Sequence, residues 1–257
     1  MLRTLRVIRL GWLLQLKTML RSGFDVMTAV FTPILYASIA FFLYRRGGQE
    51  ETLLWVSLGA AFMGLWSATL WGAGNTIQRQ RSQQTLEHAI ASPTPFLVTL
   101  IGTSVASSTL GIYSLAATLA WGRLMFGVPI DLAHPFLFAL AVPAAVVSLG
   151  LLGIVMASTL ILYRYAWALA NTLEYPIWLA AGLLAPIALL PDWVRPLSWA
   201  LAPTWGVRAV RESVIGGDPL FAIGMCLGLA VVYLVVATFF VENFERLARK
   251  QATLSLT

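Results

Sequence analysis

The chain has 257 residues, 59% hydrophobic and only 11% charged, with a mean hydropathy of +0.80, whereas an ordinary soluble domain is roughly one quarter charged. That balance excludes a soluble globular domain and predicts an all-α integral membrane protein. The net charge of +6 does not indicate nucleic acid, because the basic residues sit at the ends of apolar runs without an aromatic-interleaved stripe, and the single cysteine, Cys226, excludes an intramolecular disulfide or a Cys-based metal site.

Residues 1–23 carry Arg3, Arg6, Arg9, Lys17 and Arg21, which interrupt every stretch long enough for the apolar region of a signal peptide. On a helix, Leu5, Ile8, Trp12, Leu16 and Met19 fall on one face and Arg6, Lys17 and Arg21 lie away from it. Two readings follow: a helix lying in the bilayer interface, which the periodicity favours, or a basic cytoplasmic leader.

A spanning helix needs about 20 mostly apolar residues. Six runs meet this, at 24–44, 53–77, 96–126, 136–163, 165–190 and 220–241, which makes one membrane domain over 1–257 with a six-span bundle at 24–241 and a tail at 242–257. Both termini then share a side. That side holds eleven of the 17 Lys and Arg (Arg3, Arg6, Arg9, Lys17, Arg21, Arg79, Arg81, Arg164, Arg246, Arg249, Lys250), against Arg45, Arg46, Arg123, Arg195, Arg208 and Arg211 opposite. The excess of positive charge places the termini in the cytoplasm.

Between the second and third spans lies the polar RQRSQQTLEHAIASPTP. Residues 76–91 hold no glycine or proline, Leu86 and Ile90 fall four apart, and Ser92-Pro93 stops a helix because a residue before proline is pushed out of the α region. A short polar helix beneath the membrane is predicted; a solvated linker is the plain alternative.

In the third span Thr103, Ser107, Gly111, Ser114 and Thr118 share one face, suited either to close helix packing or to a substrate-facing wall. Pro33, Pro143, Pro176 and Pro186 interrupt spans. The last span holds a GxxxG match, Gly224 to Gly228. In the fifth, Asn171 and Glu174 lie about a turn apart, and Glu174 is the one carboxylate deep in an apolar run, where a charge needs a cavity or a partner. It serves either a transport path or gate, or an inter-helix hydrogen bond.

The following segment, 188–219, carries Trp193, Trp199 and Trp205, several prolines and charges of both signs. Its apolar stretches are too short to cross, so re-entrant or interfacial short helices on the outer side are expected.

Catalytic chemistry finds no footing. His88 and His134 fall on opposite sides, the only lysines are Lys17 and Lys250, and Ser104 in a GTS fragment has no membrane-embedded base. No GxxxxGK[ST] phosphate loop occurs, so any ATP used must be bound by another polypeptide.

Two segments resemble the permease subunits of ABC-2 type ABC transporters. The first matches the family pattern at Arg81, Thr85, Leu86, Glu87, Ser92 and Pro93, with Gln80 and Gln84 departing from its acidic residue and glycine. The second runs through Pro176, Gly182, Pro186, Leu190, Pro191, Trp193, Pro196, Pro203 and Arg208 or Arg211. The resemblance implies an exporter permease in the plasma membrane moving a hydrophobic or amphipathic molecule (a drug, lipid or glycan). It implies a second permease copy, identical or similar, and two ATP-binding subunits that carry ATP and Mg, with no cofactor in this chain. The polar segment becomes a coupling helix docking through Arg79, Arg81, Thr85, Leu86, Glu87 and His88. Asn171, Glu174, Trp193 and Trp199 become candidates for the path or its gate. The alternative from another class is a six-span assembly or scaffold protein that binds no ATPase.

Overall fold

The computed structural model describes residues 2–44, 50–82, 84, 95–128, 132–160 and 166–251. Among them the chain is helical, with no strand: α1 (Leu2–Arg21), α2 (Gly23–Tyr44), α3 (Glu50–Ser82), α4 (Phe96–Phe126), α5 (Pro135–Leu160), α6 (Ala166–Ala180), α7 (Arg195–Trp199), α8 (Ala202–Ile215) and α9 (Pro219–Gln251). Two single 3-10 turns, Ile187–Leu189 and Asp192–Val194, lie between α6 and α7.

Four stretches among the described residues are long and apolar enough to cross a membrane: Leu53–Leu70, Phe96–Phe126, Pro135–Ser158 and Pro219–Asn243. In α2, Gly23–Tyr44, the apolar stretch among the described residues is Val30–Ile39. The fifth predicted span differs most. Apolar composition runs on to residue 190, but the helix stops at Ala180. There the chain turns at Gly182, whose φ of +70° is a left-handed conformation that costs glycine least. The N–H groups of Ala181, Gly182 and Leu183 donate to the carbonyls of Ile177, Leu179 and Trp178 and close the helix.

Centrality follows burial: 83% of Leu53–Leu70 is buried, against 33% of Pro219–Asn243, so α3 is the axis of the bundle and α9 a flank. The axis contacts α2, α4, α5, α6 and α8. Small residues set its antiparallel packing on α4. A Cβ at Gly72 would strike Ser107, one at Gly111 would strike Leu65, and one at Gly122 would lie 3.4 Å from Ser57 Oγ. Close approach of this kind is what helices in lipid use in place of a hydrophobic driving force. Thr103, Ser107, Ser114 and Thr118 of the predicted stripe are all buried, so the stripe is a packing seam. In the stripe itself Thr103 and Ser107 donate to carbonyls of their own helix, while beside it Thr69 Oγ1 of α3 donates to Ser108 Oγ of α4 at 2.9 Å and Ser104 Oγ of α4 to Gly150 O of α5 at 2.6 Å.

The N-terminal helix does not lie apart from the bundle. Ile8, Trp12, Leu16 and Met19 are partly buried, Leu5 is exposed, and Arg6, Lys17 and Arg21 point away. The backbone of α1 lies on Gly102 of α4, where a Cβ would come within 2.7 Å of Ile8 O, and Trp12 Nε1 donates to Thr109 Oγ1 at 3.2 Å. The face expected to enter the interface is therefore largely spent on α4. Leu10 and Leu14 are the exposed apolar residues of the other side.

Candidate functional site

Three places bear on function: a carboxylate node among α2, α3 and α6, the segment that follows α6, and the far end of α3.

Glu174 sits on α6 with 6% of its surface exposed. Ser67 of α3 donates its hydroxyl to Glu174 Oε1. One turn on, Trp178 packs edge-on against Tyr36 of α2, centroids 5.0 Å apart, and against Tyr175 at 5.1 Å. Tyr36 and Tyr175 thus both pack on Trp178, which joins α2 to α6. A hydroxyl donor and amphipathic aromatics lower the cost of placing a carboxylate among apolar spans. Tyr175 remains 58% exposed, so one edge of the node opens outward from the protomer. The indole N–H of Trp178 is buried without an acceptor among the described residues.

Beyond Gly182 the chain folds back as short helices. Ser198 Oγ of α7 donates to Ala180 O at the end of α6. Trp205 Nε1 donates to Trp199 O at 2.8 Å. Tyr233 of α9 holds the α7–α8 corner, donating to Ala200 O and accepting from the Ala202 N–H at 3.1 Å. Trp193 and Trp199 are exposed at 76% and 59%, where an interfacial tryptophan belongs, and Trp205 is buried. The ion pairs Arg195–Asp192 and Arg208–Glu212 are local surface pairs, of a kind worth about 0–1 kcal/mol each.

Arg211 is different in kind. It stands on α8, 8% exposed, and makes no ion pair among the described residues. Its guanidinium donates from Nη1 to Gly182 O at 3.0 Å, from Nη2 to Leu183 O at 3.3 Å and from Nε to Trp55 O at 3.3 Å, with Cζ 3.6 Å from the centre of the Trp55 ring. Burial lowers its pKa to about 9, still above neutral, so the group stays charged.

At the opposite end α3 continues as one helix to Ser82, past the predicted limit of its span at 77. Its 33 residues measure about 50 Å, well beyond the roughly 30 Å hydrocarbon layer. The polar segment therefore begins as an extension of α3, and Arg79 and Arg81 lie on that extension; of the helix predicted over 76–91, residues 83 and 85–91 lie outside the described residues. Gln84 takes a left-handed φ of 55°. Thr85, Leu86, Glu87 and His88 lie outside the described residues, as does the side chain of Asn171, whose backbone is in α6.

The structure thus gathers Glu174 with Ser67, Tyr36, Tyr175 and Trp178, while Trp199 packs edge-on against Trp205 and Trp193 is exposed. Sequence reasoning missed the first node's partners and the Arg211 cradle. The signal for Arg211 was available: on a helix, Thr204, Val207, Arg211 and Val214 share a face, and all four are buried.

Residues 7–215 match the family model of the ABC-2 type transporter, a region that reaches the last residue of α8 and includes both the Glu174 node and Arg211. No curated protein matches the chain.

Proposed function

The chain belongs to the ABC-2 type transporter family, and from that premise we propose that it is the permease subunit of an ATP-driven exporter for a hydrophobic or amphipathic molecule. The family's membrane domain is a transport component, and the helical membrane architecture accords with that role. Six crossings complete the reading, with α2 and α6 as the additional two: α2 is 22 residues long, and α6 reaches the outer boundary with the help of the folded-back segment. Both termini lie in the cytoplasm of a plasma-membrane protein. The permease pairs with a second copy of itself or a similar chain, and two ATP-binding subunits supply ATP and Mg chemistry from outside this chain.

The observation that carries this reading is the unbroken α3. A rod fixed in the bundle at Leu53–Leu70 and prolonged to Ser82 delivers the polar segment at 79–88 to a partner as a lever, whereas a linker at Ile77 would absorb the motion. Arg79 and Arg81 suit acidic groups on the ATPase; Thr85, Leu86, Glu87 and His88 extend the contact. Glu174 faces the path between permease copies through the open edge at Tyr175, Asn171 contributes to the same path from one turn earlier in α6, and the segment with Trp193 and Trp199 closes its outer end.

The test is purification from native membranes with identification of co-purifying chains and a vanadate-sensitive ATPase assay, run beside Glu87→Arg. An ATP-binding subunit is expected with the wild type and lost or uncoupled in the variant. A well-folded protein with no ATPase attached refutes the exporter and leaves an assembly protein.

A further inference from the structure

We propose that Arg211 is a latch that holds the folded-back outer segment onto the bundle, and that α3 is the element on which the latch seats. That the segment is a gate rests on the permease reading above; that Arg211 holds it down does not.

The cradle is built from three elements. The Gly182 and Leu183 carbonyls lie in the turn that ends α6, where the helix leaves unsatisfied acceptors and partial negative charge. Trp55 contributes both its carbonyl and its ring face, and cation–π attraction gains when the pair is shielded from water. Gly59, one turn along α3, completes the fit by absence: a Cβ there would fall 2.1 Å from Leu183 O and 2.7 Å from Arg211 Nη2. A single planar fork on α8 thus fastens the last turn of α6 to one turn of α3.

The chemistry argues for a reversible fastening. A permanent strut between these carbonyls needs only neutral donors, which bury at far lower cost than an unpaired cation. A guanidinium is bound here by dipoles and a ring alone, among the described residues, and it regains hydration if α8 lifts. Water is close, since Arg208, three residues away, is exposed with Glu212 beside it. The same α3 that carries Trp55 and Gly59 runs on to Ser82, so a shift or rotation of that helix alters the seat of the latch directly.

The experiment uses two thiols in the full-length protein. Ser198→Cys places a near-isosteric reporter in α7, where the serine is fully buried; the native Cys226, also fully buried in α9, reports general loosening. Modification by a membrane-impermeant maleimide is followed peptide by peptide in native membranes. In the Ser198→Cys background, Arg211→Gln is expected to raise labelling at 198 by about tenfold or more, the order set by losing charge-assisted hydrogen bonds, with Cys226 unchanged. Arg211→Lys, which keeps the charge and loses the fork, should fall between. Equal rates in wild type and Arg211→Gln, or parallel acceleration at both cysteines, overturns the latch. If Arg211→Gln does not yield folded protein, Trp55→Leu keeps the cation and removes its ring face; a selective rise of about threefold at 198 is expected, and an unchanged ratio of the two rates overturns the proposal. A parallel series with ATP and vanadate separates the two claims: selective labelling in Arg211→Gln without any nucleotide response in wild type keeps the latch and sinks the gate.

Discussion

The docking of α1 can be tested at a single atom. At Gly102 an added Cβ meets Ile8 O at 2.7 Å and Trp12 N at 3.2 Å, both backbone atoms of α1, which cannot swing aside as a side chain can. Reaching ordinary contact requires a separation of roughly 0.7 Å between the two helices, which also stretches the Trp12–Thr109 hydrogen bond now at 3.2 Å. Overpacking of this kind costs about 1–3 kcal/mol, and alanine returns about 1 kcal/mol through better helix propensity than glycine. Gly11 is the internal control. It faces the same crossing, but its Cβ would meet nothing closer than 3.8 Å, so Gly11→Ala keeps the propensity gain and avoids the clash. Gly102→Ala is therefore expected to be less stable than Gly11→Ala by about 1–3 kcal/mol, a difference more secure than either value alone because most unfolded-state effects cancel. Thermal unfolding of both variants in one detergent reads it, and retention of the ATPase on purification tells whether α1 also forms a contact with that partner. If Gly102→Ala proves as stable as Gly11→Ala, the backbone-to-backbone seat of α1 on α4 is wrong.

Three other perturbations probe separate links. Tyr233→Phe removes the hydroxyl that donates to Ala200 O and accepts from the Ala202 N–H, leaving a buried N–H unsatisfied; a loss of about 1–3 kcal/mol is expected by thermal unfolding, and an unchanged melting point shows that Tyr233 does not hold the α7–α8 corner. Glu174→Gln preserves the shape and the acceptor oxygen that receive Ser67 while replacing the acid by an amide, so it should leave unfolding within about 1 kcal/mol of wild type and change nucleotide hydrolysis by the assembled complex; identical hydrolysis takes the carboxyl group out of the path. Gly224→Ala and Gly228→Ala meet nothing within 4 Å among the described residues, so stability should be unaffected or slightly raised, and a shift toward monomer on cross-linking would reveal that a second copy covers that face.

Much of the fold was legible because an apolar run long enough to cross a bilayer has few other uses. The runs starting at 53, 96, 136 and 220 all contain such helices. The run at 165–190 misled because hydropathy is blind to backbone conformation: Ala181, Leu183 and Leu184 read as continuing a span, yet Gly182 at φ +70° has already turned the chain. Residues 76–82 of the polar segment lack breakers, and α3 runs straight through them; apart from Gln84, the rest of the helix predicted over 76–91 lies outside the described residues. For the site, Glu174 announced itself as a charge among apolar residues, whereas Ser67, Tyr36 and Trp178 belong to types that any span contains, and only their convergence from three helices makes them a node.

Arg208 and Arg211 make the distinction sharpest. Both were counted as positive charges on one side of the membrane, and for that count they are interchangeable. Three residues of helix leave them only about 60° apart around the axis, yet that is enough at the edge of the buried face to leave one guanidinium in water at 2.7 Å from Glu212 and seat the other on three carbonyls and a tryptophan ring. Charge counting reads which side of the bilayer a segment occupies. The helical period reads which face of that segment turns inward, and where the two are read together an arginine on an apolar face in an outer segment stops being a topology signal. Such a residue needs acceptors, and the nearest supply in a helical membrane protein is the carbonyl end of a neighbouring helix. The early end of α6 at Gly182 and the burial of Arg211 are thus one event: the turn frees the carbonyls that the cation occupies, and the cation offsets the cost of ending a helix there.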